Sequence, residues 1–168
     1  MGDVLFYHLT QSSLEEALPQ MLERAQDRGW RVIVRAASTA DLTALDTHLW
    51  TYDAASFLPH GMEDGAAQPI YLTTGTEVPN AATVLMLVSG AALDPAEAAR
   101  FDRVCLLFNG YEAEAVAAAR TAWRAVRDAG LSGTYWAQEE GRWLEKAKTY
   151  PGRRHGSRAI WLSRPLRI

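Results

Sequence analysis

The densest grouping of chemistry-bearing side chains in the chain is Arg120-Thr121-Ala122-Trp123-Arg124-Ala125-Val126-Arg127. Guanidinium groups grip carboxylates through paired N–H donors, and an indole offers an apolar platform beside them. Trp next to Arg is the pairing enriched at interaction hot spots. At about 100° per residue, Arg120, Trp123, Arg124 and Arg127 fall on one face of a helix, with Val116 one turn earlier. Ala115, Ala118, Ala122, Ala125, Val126 and Ala129 fall on the opposite face, which is predicted to pack closely on a sheet. The pattern suits an acidic ligand with an aromatic or apolar part, such as a chain terminus carrying its own carboxylate. The same residues also fit a purely internal role, with Trp123 under a C-terminal hairpin and the arginines paired to nearby acids.

A second grouping is Leu49-Trp50-Thr51-Tyr52-Asp53-Ala54-Ala55-Ser56-Phe57-Leu58-Pro59-His60-Gly61. Its aromatics either fold inward as a satellite cluster or form an apolar patch for a partner. Catalytic constellations are sparse. His8, His48, His60 and His155 are scattered, and Cys105 lies inside the apolar run Val104–Phe108 and reads as an inert buried thiol. No G-x-x-x-x-G-K-[ST] loop, H-E-x-x-H pair or G-x-S-x-G elbow occurs. Where a dinucleotide fold would carry its glycine-rich turn after the first strand, the chain has Thr10-Gln11-Ser12-Ser13. No catalytic residue, metal or cofactor is expected. The alternative of another class is a small α/β hydrolase or nucleotide-modifying enzyme, with His8 and a nearby acid at the sheet's carboxyl edge.

The elements that must position these residues follow from periodicity and punctuation. Val4–Leu9 and Trp30–Ala36 read as buried strands. Between them Ser12-Ser13-Leu14-Glu15 reads as a capping box opening a helix, with Gly29 at its end. Ser38 or Thr39 caps a second helix carrying Leu42, Leu45 and Leu49. A long irregular stretch, residues 51–68, precedes strands at residues 70–72, 83–88 and 104–108, with a short helix at residues 95–101. A long helix over residues 111–129 closes at Gly130, and Tyr135-Trp136 and Arg142-Trp143, on either side of Glu139-Glu140-Gly141, read as a terminal hairpin or a strand–turn–helix. Strand–helix alternation predicts an α/β class with a parallel sheet.

The 168 residues fit one domain, with 48% hydrophobic and 22% charged residues. No apolar run approaches the ~20 residues of a membrane span, and the amino terminus lacks a signal-peptide pattern. A soluble, cytoplasmic protein is expected. The net charge of −3 conceals a division: residues 1–145 hold all 20 acids and 10 of the 17 bases. An acidic body argues against broad nucleic-acid binding, while the basic extension reads as a solvated tail or a contact for an acidic partner or nucleic acid.

The stretch Leu49–His60, L-W-x-x-x-x-x-S-F-L-P-H, followed by Gln68-Pro69-Ile70-Tyr71-Leu72, resembles the chi subunit of bacterial DNA polymerase III. So do Phe6-Tyr7-His8-Leu9, the R-x-x-W-R-x-x-R-D-A-G run from Arg120 to Gly130, and the Y-W…G-R-W ending. The resemblance covers residues 1–148, leaving 149–168 as a basic extension. It implies a Rossmann-like three-layer fold with a mostly parallel sheet and no nucleotide-binding loop. It also implies a non-catalytic replication accessory subunit that links the clamp-loader complex to single-stranded DNA-binding protein by gripping that protein's acidic C-terminal tail. By position, Val116, Arg120, Trp123, Arg124 and Arg127 match the family's tail-binding helix, with Val116 replacing a basic residue of some relatives and Asn109 an apolar pocket residue. Trp50 and Phe57 match aromatics that contact the psi subunit, or an equivalent partner.

Overall fold

The computed structural model describes residues 2–150. Apart from its first two residues, the basic extension therefore lies outside the described residues. The chain runs β1 (Asp3–Leu9), α1 (Leu14–Asp27), β2 (Val32–Arg35), α2 (Thr39–Thr51), β3 (His60–Gly61), β4 (Ile70–Thr73), β5 (Val84–Leu87), α3 (Pro95–Ala98), β6 (Arg103–Asn109), α4 (Ala113–Asp128), β7 (Ser132–Glu139) and β8 (Arg142–Thr149). The strands form one eight-stranded sheet in the order β3-β4-β2-β5-β6-β1-β7-β8. Every pairing is parallel except the β7–β8 hairpin, whose register shifts between Tyr135 and Trp136. Strand β8 reaches Thr149, which is buried and donates its hydroxyl to the Leu131 carbonyl at 3.0 Å, so regular structure continues one residue past the expected boundary.

Two apolar cores make this a three-layer α/β fold. On one face Leu18 and Leu22 of α1 and Leu42, Leu45 and Leu49 of α2 pack on Val32, Val34, Ile70, Leu72 and Leu107. On the other, α3 and α4 cover Phe6, Ile33, Leu85, Leu106 and Phe108. The central strands are buried on both sides, as expected for a parallel sheet between helices.

Local signals set the helix ends. The capping box sits one residue later than the expected one: Ser13 is the N-cap and accepts from the Glu16 amide at 3.3 Å while its hydroxyl donates to the Glu16 carboxylate. Ser38 caps α2 by accepting from the Asp41 amide. Gly29 and Gly130 follow their helices at φ of 72° and 74°, where a Cβ would be strained. Pro19 lies inside α1 and has no N–H for the carbonyl of Glu15. His48 Nε2–H of α2 donates to that carbonyl at 2.6 Å, so the gap left by the proline ties the two helices together.

The expected short helix ends early, at Ala98, and the irregular stretch contains β3 and a 3-10 turn at Gly65–Ala67. The larger correction concerns α4. Its core stripe is Ala119, Trp123 and Val126, whereas Ala118 and Ala129 are exposed and Ala125 is half-buried. An indole removes far more apolar area from water than an alanine methyl, so its position decides which face turns inward. Gly133 of β7 makes room for it: a Cβ there would stand 3.3 to 3.4 Å from Val126 and Trp123.

Candidate functional site

The carboxyl edge of the sheet is where α/β folds place ligands, at the point where connections leave in opposite directions. Here that point lies between β1, which continues through α1 to β2, and β6, which continues through α4 to β7. In a dinucleotide fold the turn after β1 would cradle a phosphate on its backbone N–H groups. In this protein those groups are already taken. The Gln138 Oε1 accepts from the N–H of Thr10, Gln11 and Ser12 at 3.1, 3.0 and 3.0 Å. Gln138 Nε2 donates to Ser12 Oγ, and Thr10 Oγ1 donates to the Gln138 carbonyl, both at 2.9 Å. Tyr111 reaches from the other side of the edge, its hydroxyl donating to the Thr10 carbonyl.

His8 lies beneath this edge and is 2% exposed. It hydrogen-bonds the Tyr135 hydroxyl through Nδ1 at 2.8 Å and stacks on Phe108 at 4.9 Å. Burial, reinforced by the Arg120 charge, holds its pKa below the usual 6.5 and keeps the ring neutral near pH 7. A Cβ on Gly110 would overlap the ring at 2.3 Å, which fixes glycine there. Cys105 is fully enclosed, and burial pushes its thiol up to about 12. Among the described residues no cluster of side chains suited to a metal ion occurs.

The helix α4 divides into three strips. Trp123 is 1% exposed and meets Phe6 edge-on at 5.2 Å and Tyr135 at 6.0 Å. It is therefore a core residue rather than a surface platform, which corrects the exposed-face assignment. Ala118, Ala122 and Ala125 border an open cleft of about 1120 Å³ that runs along the carboxyl edge of the sheet, past the turn after β1, the Ser89–Leu93 segment and the turn between β6 and α4. The third strip holds Val116, Arg120, Arg124 and Arg127, within about 80° of the helix circumference at the usual helical step. Arg120 and Arg124 are exposed, Val116 and Arg127 half-buried. Arg127 Nε contacts its neighbour Asp128 at 3.2 Å, and the Arg120 charge acts on both His8 and Tyr135. Asn109 is exposed and serves as a turn residue, accepting from the Tyr111 amide at 2.9 Å and donating to Glu112 at 3.2 Å.

The last turn of α2 and the loop after it resolve into an inward and an outward set. Leu58 enters the core at 1% exposed, and the Tyr52 hydroxyl meets Glu23 and Ser56. Hydroxyls of Ser56 and then Tyr52 hold the Glu23 carboxyl below its usual range. Outward stand Trp50 and Phe57, 52% and 68% exposed, with ring centroids 6.0 Å apart. His60 supports them from below, 4.3 Å from Trp50, with Nδ1 on the Leu58 carbonyl at 2.6 Å.

A sequence profile described as DNA polymerase III chi subunit, HolC matches residues 1–134. The chain belongs to that family. The probable DNA polymerase III subunit chi of Rickettsia prowazekii (strain Madrid E) is 29% identical over 92 residues, 53% of this chain and 56% of that protein. The chain thus spans little more than half the length of this chi-family relative. No helix among the described residues is long and apolar enough to cross a membrane.

Sequence reasoning missed two polar devices. One is Gln138, whose partners lie about 126 to 128 positions away. The other is Arg35, which meets Glu97 bidentately at 2.7 and 2.8 Å with side chains only 7% and 16% exposed. An arginine at the end of an otherwise apolar strand, Val32-Ile33-Val34, was the available signal for the second.

Proposed function

We propose that this protein is a non-catalytic adaptor of the replication machinery, coupling the clamp-loader complex of DNA polymerase III to single-stranded DNA-binding protein. The adaptor grips the acidic C-terminal tail of that protein. The observation that carries the reading is the strip of Arg120, Arg124 and Arg127 with Val116 on one flank of α4. Guanidinium groups supply bidentate donors for aspartates and a terminal carboxylate, and the half-buried Val116 supplies apolar contact for the last side chain. Trp123 contributes from underneath by fixing the helix on β7. Several tails on one oligomeric partner raise the effective concentration, so weak single contacts suffice for recruitment.

Trp50 and Phe57 form the second surface, for a psi-type subunit or an equivalent partner. Helix α2 lies on the opposite sheet face from α4, which leaves room for both partners at once.

The test is a titration of a fluorescent acidic peptide ending in Asp-Ile-Pro-Phe against the protein and its Arg124→Glu variant. Saturable binding that the variant weakens about tenfold at low salt, with a smaller difference at high salt, supports the reading because exposed charges are screened. Equal binding by both proteins removes the arginine strip from the account.

A further inference from the structure

The sheet is not covered evenly. Along β1 and β7, side chains facing α4 are buried, as for Phe6, Tyr135 and Ala137. Facing the other way, Leu9 and Thr134 are buried and Leu5 and Tyr7 lean on the α1–α2 core, whereas Trp136 and Gln138 farther out are half-exposed. Helices α1 and α2 sit over β6, β2 and β4 on that side, and the β7–β8 hairpin extends beyond them. The register sets Tyr7 beside Trp136 and puts Trp143 of β8 opposite Gln138 on the same face. Tyr7 and Trp143 meet edge-on at 5.2 Å.

Cations rim this aromatic surface. The Arg28 and Arg103 guanidinium groups each stand 4.9 Å from the Trp30 ring at the amino end of the strands. Arg103 and Arg24 are close enough to act on the Tyr7 hydroxyl. Lys148, exposed, lies opposite Thr134. Arg103 and Lys148 share the strands with Asp3 and Glu145, and Arg24 and Arg28 add two cations at the end of α1, where Asp27 precedes Arg28. Trp136, Trp143 and Lys148 all lie beyond the residues matched to the family.

We propose that the half-exposed face of β7 and β8, beside Tyr7 of β1, binds single-stranded nucleic acid, stacking bases on Trp136 and Trp143 and placing phosphates on Arg28, Arg103 and Lys148. Flat aromatics on an open sheet with cations at the rim are the two ingredients of sequence-tolerant single-strand binding. A protein strand would use the aromatics equally well, but the rim charge selects a polyanion. The acidity of the whole chain governs long-range attraction and leaves this local complementarity intact.

The experiment is fluorescence anisotropy of a labelled oligothymidylate of about 15 nucleotides with the full chain at about 50 mM salt. Saturable binding is expected, weakened about tenfold by Trp136→Ala. Lys148→Glu, at an exposed position whose ammonium stands 5.8 Å from the Tyr150 ring, is expected to weaken binding and lower the salt slope by about one. Circular dichroism checks that each variant is folded; if Trp136→Ala is not, Lys148→Glu alone decides. Absence of saturation overturns the proposal, and a face that takes a protein strand instead gives that result. Binding that the folded variants leave unchanged, or that is lost on reversing Arg153 and Arg154, overturns it as well.

Discussion

At the scale of single residues, burial decides what each side chain does. Trp123, placed on the surface by the alanine stripe, is held in the core by Phe6, Tyr135 and the absence of a side chain at Gly133. Trp123→Ala is therefore expected to cost about 3–5 kcal/mol in urea unfolding, the size of a core aromatic truncation. A loss of tail binding with unchanged stability would contradict the core assignment. His8 offers a pH test with a definite sign. Its folded pKa lies below 6.5 because the ring is desolvated, so the unfolded chain binds the extra proton first on acidification. Stability is expected to be full above about pH 6.5 and to fall as the pH drops toward the folded pKa, by at most about 1.4 kcal/mol per unit from this residue. Denaturant midpoints between pH 7.5 and 5 for the wild type and His8→Asn check this, the variant giving the shallower decline. These residue roles were only partly legible in the sequence: the spacing identified the arginine strip, but an alanine face and an indole face compete for the core, and only packing area decides between them.

Secondary elements were the most legible level, because strand and helix periodicity, Ser caps and terminal glycines are local signals. Their long-range fastenings were not. Gln138 on β7 closes the turn after β1 through three backbone N–H groups, a contact that no local pattern encodes. Gln138→Ala is expected to lower stability by about 1–3 kcal/mol and to speed amide exchange at Thr10, Gln11 and Ser12. Unchanged exchange at those amides would mean that the turn holds itself. The Trp50 and Phe57 loop is the opposite case. Its distinctive motif was readable, and its split into Leu58 inward and Phe57 outward depends on Tyr52, Ser56 and Glu23, which are brought together only by the fold. Trp50→Ala and Phe57→Ala are expected to change stability by no more than about 0.5 kcal/mol. They are expected to leave tail-peptide binding intact while disturbing a second partner; loss of both would mean one shared site.

At the scale of the whole molecule, alternating strands and helices announced a parallel α/β sheet and the terminal hairpin its antiparallel edge, while the strand order depends on pairings between distant segments. The absence of the glycine-rich turn was readable; that a side-chain amide occupies its place was not. What emerges is a scaffold whose turn after β1 is filled by its own side-chain amide, with an open cleft beside that turn and an arginine strip on one flank of α4. The central claim is that the α4 strip reads a chain end. The most direct measurement compares two otherwise identical acidic peptides ending in Asp-Ile-Pro-Phe, one with a free terminal carboxylate and one amidated. The account predicts saturable binding of the first and binding about tenfold weaker of the second, as expected for loss of a charge-assisted contact. Equal affinity for both peptides, or no binding by either at low salt, would contradict it.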